Sequence, residues 1–222
     1  MIIELFDSDQ HETQSYHFVF LLDESGSMKP HWRALEEAYK KFLIRRNNDQ
    51  GGNDYVTVIQ FATNARTTCT YQPVRSSASL SPIAGGGTDY CAGLNAADKK
   101  IAADWTTSTI MIVFMSDGRD FSRGNPVDLV RQIKTKYKSN HYVICHTIGF
   151  GSEIRPGSSE EKLLKDMANA GEGNMYSAKD GDALENVFGK IAEDSTTSEA
   201  LVKRFSDILA KNITLKIKDD YF

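Results

Sequence analysis

Residues 21–28 read Leu-Leu-Asp-Glu-Ser-Gly-Ser-Met and set an acid and two hydroxyls at alternate positions, Asp23, Ser25 and Ser27. The apolar run His17 to Leu22 stops just before them. Three chemistries suit such a pattern: a polar turn after a buried strand, three oxygen ligands converging on one cation, or a nucleophile in an enzyme. Related residue types recur twice downstream. Gly85-Gly86-Gly87-Thr88-Asp89 precedes a helical pattern, and Ser116-Asp117-Gly118-Arg119-Asp120 follows the most apolar run of the chain, Thr109 to Met115. Asp23, Asp117, Ser25, Ser27 and Thr88 together offer only hard oxygen atoms, which suit a divalent ion in octahedral geometry.

The elements needed to bring these loops together are legible. Short apolar runs bounded by turn residues read as strands buried on both faces: His17 to Leu22, Asp54 to Phe61, Thr109 to Met115 and Tyr142 to Ile148. Gly173 to Ser177 adds a short strand, and the polar, β-branched Thr67 to Tyr71 reads as an antiparallel edge strand. Between them lie helical patterns: Trp32, Leu35, Tyr39, Phe42 and Leu43; about Thr88 to Ala103; Pro126 onward through Val130, Ile133 and Tyr137; Ser158 to Ala168; and Asp182 to Glu193. Strands alternating with helices imply right-handed crossovers and a doubly wound, mainly parallel sheet with helices on both faces. Ligands of such sheets bind beyond the carboxyl ends of the strands, where the chain order reverses. All three oxygen-bearing loops are expected at that edge.

Composition bounds the reading. The chain has 222 residues, 40% hydrophobic and 25% charged, as expected for one large α/β domain. A formal net charge of −4 without a basic cluster gives no footprint for nucleic acid. Cys69, Cys91 and Cys145 are widely spaced, an odd number that suits neither a disulfide framework nor a zinc site. The first residues lack a positive region followed by a long apolar stretch, and no segment approaches the length of a membrane span. A cytoplasmic setting is therefore the expectation, with an extracellular or cell-surface one if the chain is a fragment. Three parts are expected: an N-terminal extension at 1–15, the α/β domain at 16–194, and a helix plus an alternating strand at 195–222 that read as the start of a further module.

DxSxS after a first strand, a later GGTD and a later SDG resemble the metal-ion-dependent adhesion site (MIDAS) of von Willebrand factor A (vWA) domains, and the resemblance covers roughly Tyr16 to Asp194. It implies a Rossmann-like vWA fold with six strands, one of them an antiparallel edge. It also implies that Ser25 and Ser27 bind a metal by their hydroxyls. Thr88 would join directly in the ligand-binding form, and Asp23 and Asp117 would hold the ion directly or through water. The implied metal is Mg2+, with Mn2+ acceptable and Ca2+ disfavoured by so small a ligand set. The implied function is non-catalytic: a partner protein supplies a Glu or Asp carboxylate that completes the coordination. Asp89 is expected either in the outer shell or as a helix cap. Glu24 is expected to add charge or touch a partner. Met28, Tyr90, Arg119, Asp120 and Phe121 flank the loops as partner-contact candidates, with a plain loop-surface or packing role the first expectation for each. The enzyme alternative is a haloacid-dehalogenase-like aspartyl phosphotransferase using Asp23 as nucleophile. That chemistry wants a second acid two residues on, where this chain has Ser25. The GxSxG elbow of serine hydrolases and the GxxxxGK[ST] phosphate loop are both absent.

Overall fold

All eight residues of β1 (Tyr16–Asp23) are buried, as a continuous apolar run between two helical layers requires. The computed structural model describes residues 15–48, 53–76, 79–101, 107 and 109–194. After β1 come α1 (Trp32–Asn48), β2 (Tyr55–Phe61), β3 (Ala65–Pro73), α2 (Tyr90–Lys100) and β4 (Thr109–Ser116). Then follow α3 (Pro126–Tyr137), β5 (Tyr142–Phe150), α4 (Ser159–Ala170), β6 (Glu172–Ala178) and α5 (Gly181–Asp194). The N-terminal extension, residue 15 apart, and the helix and strand expected at 195–222 lie outside the described residues.

The six strands form one sheet in the order β3-β2-β1-β4-β5-β6. All pairs are parallel except β2 with β3, so β3 is the antiparallel edge expected from its polar composition. Irregular register along β2–β3 twists that edge, a feature that discourages pairing with other chains. β1 lies in the middle, paired to both β2 and β4. From it the chain first winds outward to β3, then returns to build β4 to β6 on the other side. The crevice where this direction reverses therefore opens between the carboxyl ends of β1 and β4.

Alternation along β1 feeds two cores. Phe18, Phe20 and Leu22 pack with Trp32, Leu35, Tyr39 and Phe42 of α1 and Leu184, Phe188 and Ile191 of α5. Val19 and Leu21 pack with Tyr90 and Leu94 of α2, Val130 and Ile133 of α3, and Leu164 and Met167 of α4. The helices begin where side chains can satisfy free backbone N–H groups. Asn125 accepts from the N–H groups of Val127 and Asp128 ahead of α3, and Ser158 accepts from that of Glu161 ahead of α4. One boundary differs from expectation. α2 begins at Tyr90, with the Asp89 carboxylate accepting from Ala92 N at 2.8 Å, so Thr88 stays in the loop. Asp89 thus takes the capping role of the two open to it.

His17, His141 and His146 are buried, as their strand positions imply. His17 Nε2 lies 2.8 Å from Thr57 Oγ1 and His141 Nδ1 lies 2.9 Å from the Thr107 carbonyl oxygen, so both serve the packed interior.

Candidate metal centre

The carboxyl end of β1 delivers Asp23 into the switch-point crevice, fully buried. One carboxylate oxygen accepts from Ser25 N at 2.8 Å, which curls the loop back on itself. The other accepts from Ser116 Oγ at 2.6 Å, tying the end of β1 to the end of β4. Ser25 Oγ lies 3.0 Å from Ser27 Oγ, and Ser27 Oγ donates to Asp117 Oδ1 at 2.9 Å. Hydrogen bonds thus link Ser25, Ser27 and Asp117 side chain to side chain, with Asp23 against the backbone N–H of Ser25. Asp23, Ser25, Thr88 and Asp117 are buried and Ser27 is exposed, so the cluster opens to solvent on one side.

Thr88 arrives from the third loop. Gly26 N donates to the Gly86 carbonyl at 3.0 Å and Gly85 N to the Glu24 carbonyl at 3.1 Å, stitching the glycine loop onto the first. Gly85 and Gly86 have φ of 79° and 113°, which side chains with a Cβ resist, so these two glycines are required by the path of the chain. The Thr88 hydroxyl faces the third loop, 3.9 Å from where a Cβ on Gly118 would stand, and it joins no hydrogen bond among the described residues. Of the five residues expected at the site, four share one hydrogen-bonded cluster and the fifth faces it with a free hydroxyl.

The electrostatics suit a cation. Among the described residues neither Asp23 nor Asp117 forms an ion pair with Lys or Arg. Burial raises the Asp23 carboxyl to about 6, the nearby Asp117 charge adding to that, while hydrogen bonds from Ser116 and Ser25 oppose it. Burial also raises Asp117, against the Ser27 hydrogen bond and the charge of His31. Two buried acids without a Lys or Arg partner are costly as anions. The donors are all oxygen and only two of them are carboxylates; among the described residues no three His, Cys, Asp or Glu stand together as a metal-binding group, so the cluster depends on its hydroxyls. The residues present fit a hard divalent ion. Ser25 stands where aspartyl phosphotransferase chemistry wants a second acid, so the cluster supplies no general acid at that position.

Three residues carry roles that the sequence alone did not reveal. Ser116 braces Asp23. Glu24, expected at the surface, is buried: its carboxylate accepts from Arg66 Nε at 2.9 Å, Gln60 Nε2 at 2.8 Å and Ala84 N at 3.2 Å. It clamps the glycine loop from beneath and is a positioning residue. Asp120 does the same for the third loop, its Oδ1 accepting from Tyr90 N and Ser122 N, both at 3.0 Å. Of the residues flanking the loops, Met28 and Tyr90 take the packing role: both are fully buried, each in one of the two cores. Glu24→Ala is expected to cost about 1–2 kcal/mol in urea denaturation. That is less than for a sealed ion pair, because Arg66 is partly exposed and can be rehydrated.

The family model described as von Willebrand factor type A domain matches residues 18–190. The chain belongs to the vWA family. Solved structures agree in fold. This vWA chain is similar to proximal thread matrix protein 1 from the mussel byssus (16% identity, TM-score 0.62), over 82% of this chain and 46% of that one. It is also similar to the pilus adhesin SpaC from Lactobacillus rhamnosus GG (16% identity, TM-score 0.68), over 83% of this chain and 30% of that one. A third likeness is to BatB from Bacteroides thetaiotaomicron (20% identity, TM-score 0.55), over 82% of this chain and 100% of that one. This vWA chain therefore spans less than half the length of the first two. Another structure of the mussel protein has a zinc-occupied MIDAS motif. No curated protein matches the chain significantly. No described helix of this vWA domain is long and apolar enough to cross a membrane.

Proposed function

We propose that this vWA domain is a cation-dependent protein-binding module whose MIDAS consists of Asp23, Ser25, Ser27, Thr88 and Asp117. The observation that carries the proposal is the convergence of these oxygen donors from three loops in the crevice between β1 and β4. Mg2+ is the expected ion and Mn2+ a substitute, because five small oxygen donors suit a tight octahedron better than the larger shell of Ca2+. The zinc-occupied motif in the mussel protein is a precedent for a divalent ion on the same fold.

A divalent cation bound there supplies an electrophilic coordination position that a Glu or Asp oxygen of a partner protein fills. The protein's part is to shape that position. Ser25, Ser27 and Thr88 present neutral hydroxyls, which leave charge on the ion unquenched for an incoming carboxylate. Asp23 and Asp117 supply the negative charge that selects a cation, and Ser116 and the Ser25 amide hold Asp23 in place. This reading asks for no covalent step: the domain acts as a binding module. Surface adhesins among proteins of similar fold suit an adhesive role, and the same chemistry serves complex assembly inside cells.

The test is retention of a partner from cell lysate by immobilised protein in Mg2+ and in EDTA, with Asp23→Ala as control. Retention that needs Mg2+ and fails in Asp23→Ala is the expected result; retention indifferent to EDTA would contradict the proposal. Hydrolysis of a generic phosphate ester that depends on Asp23 would favour the phosphotransferase instead. A pH dependence follows as well. Because Asp23 takes up its proton at about 6, Mg2+ must displace that proton at lower pH. The apparent affinity for Mg2+ is expected to be flat above neutrality and to fall about tenfold per pH unit below about 6, as calorimetric titration would read.

A further inference from the structure

Among the described residues only two large apolar side chains are strongly exposed, Ile44 and Phe121, at 61% and 70%. Ile44 sits on the outer surface of α1, away from the crevice, whereas Phe121 stands on the loop that carries Asp117. Its backbone is fixed to the candidate site. Phe121 N donates to the Thr88 carbonyl at 2.9 Å. On one side of it Asp120 is pinned by Tyr90 N, and on the other Ser122 Oγ donates to Asp120 Oδ2 at 2.6 Å. The Tyr90 hydroxyl donates to the Gly118 carbonyl at 2.8 Å, closing the same loop from below. Tyr90 itself is fully buried against Phe114, ring centroids 4.7 Å apart. Thr88 and Tyr90 thus hold the backbone of the loop, so the segment that displays the ring is fixed before any partner arrives. An aromatic side chain presented in this way is the kind of anchor that concentrates binding energy at an interface.

Charge narrows the partner. Arg119, two residues before Phe121, is 72% exposed and, among the described residues, held by a loose ion pair with Glu160 at 3.7 Å. The loop that carries Asp117 therefore displays an exposed aromatic ring and an exposed positive charge two residues apart. We infer that Phe121 and Arg119 select the partner segment. The segment that fits carries an apolar side chain close in sequence to the acid, packed on the Phe121 ring, with its negative charge favoured by Arg119. This inference rests on the metal-bridging reading of the same site and adds the chemistry of the residues flanking the partner's carboxylate.

The test presents the full chain with immobilised short peptides that share a fixed central glutamate and vary on both sides, in Mg2+ and in EDTA. The parent protein is expected to select, in Mg2+ only, peptides with an apolar residue near the glutamate. Phe121→Ser is expected to lose that preference and bind the selected peptides about tenfold more weakly, whereas Phe121→Leu keeps it. Ile44→Ala, which removes the other exposed apolar side chain, is expected to select as the parent does. Mg2+-dependent selection of glutamate without an apolar preference, or a preference that survives Phe121→Ser, would overturn the inference and leave the metal-bridging function standing. Absence of any Mg2+-dependent selection would overturn both.

Discussion

Asp23→Asn is expected to weaken Mg2+ binding at least a hundredfold while leaving the metal-free protein as stable as the parent, or more stable. The two effects have opposite signs because one carboxylate serves two ends. Even partners that only orient a metal ligand are worth about ten- to a hundredfold in affinity, so loss of a charge at the site itself should exceed that. Stability moves the other way. Asp23 is fully buried and its carboxyl is raised from 3.8 to about 6, mainly by burial. A folded-state value above the unfolded one means that the fold prefers this group protonated. Its stabilising effect is complete below about pH 4 and is lost as pH rises through about 6, so near neutrality the charge costs about 3 kcal/mol. Asparagine removes the charge and keeps the shape. Its amide oxygen can accept from Ser25 N, and its NH2 can donate to Ser116 Oγ, since a hydroxyl serves as either donor or acceptor. Urea denaturation in EDTA should show Asp23→Asn ahead of the parent at neutral pH, with the gap closing towards about pH 4. A variant that lost stability at neutral pH and still bound Mg2+ normally would mark Asp23 as a structural residue only. Sites that sacrifice stability for ligand binding commonly behave in the expected manner.

Arg46→Ala is expected to produce the largest loss of stability of any single change considered, about 3–5 kcal/mol at neutral pH. Arg46 lies near the end of α1 with its side chain only 3% exposed, and its Nε and Nη2 donate to Asp54 Oδ2 at 2.8 and 2.5 Å. Its Nη1 donates to the Ala192 carbonyl at 3.0 Å, and the other Asp54 oxygen accepts from Tyr16 N at 2.8 Å. The guanidinium also lies over the Phe18 ring, 5.3 Å from its centroid. One ion pair therefore joins the starts of β1 and β2 to the ends of α1 and α5. Removing the arginine strands a buried carboxylate and opens a hole beside two aromatic rings. For a domain of this size the melting temperature should fall by roughly 10 °C. Burial already raises Asp54, with Arg46 opposing it, so loss of the arginine raises it further. The penalty should therefore shrink as pH falls and Asp54 takes up a proton. Arg46→Lys should recover only part of the loss, because an ammonium cannot reach Asp54 and Ala192 in the same fork-like geometry. A loss below about 1 kcal/mol would show that water reaches the pair.

These two residues differ in how visible they were beforehand. Asp23 stands next to the run that becomes β1, and strand ends follow from periodicity alone. The six strands, their order along the chain and the antiparallel edge at β3 were legible for that reason, as was the placing of three loops at one edge of the sheet. Asp54 and Arg46 sit 8 residues apart across a turn, and nothing in their spacing says that the turn brings them together under α5. The same holds for Glu24 and Arg66, separated by 42 positions. A polar residue inside DxSxS reads as surface until β3 is known to run back along β2 and deliver Arg66. For Met28 and Tyr90 the loop position alone leaves partner contact and packing both open, because it does not say which way a side chain turns. In the structure Met28 turns into the core under α1, and Tyr90 opens α2 facing Phe114. Thr88 is compatible with a first helical turn in sequence, but Asp89 takes the cap and α2 starts at Tyr90. Short-range pattern gave the scaffold, and long-range side-chain pairing supplied what holds its loops.

The most direct measurement is the anomalous diffraction of Mn2+ in crystals of the protein grown with that ion. One strong peak is expected between the ends of β1 and β4, about 2.1 Å from hydroxyl oxygens of Ser25 and Ser27, with Asp23 and Asp117 bound directly or through water. The peak is expected to disappear in Asp23→Asn crystals grown in the same way. A peak held by other residues, or one that persists unchanged in Asp23→Asn, would contradict the assignment of this crevice as the metal centre.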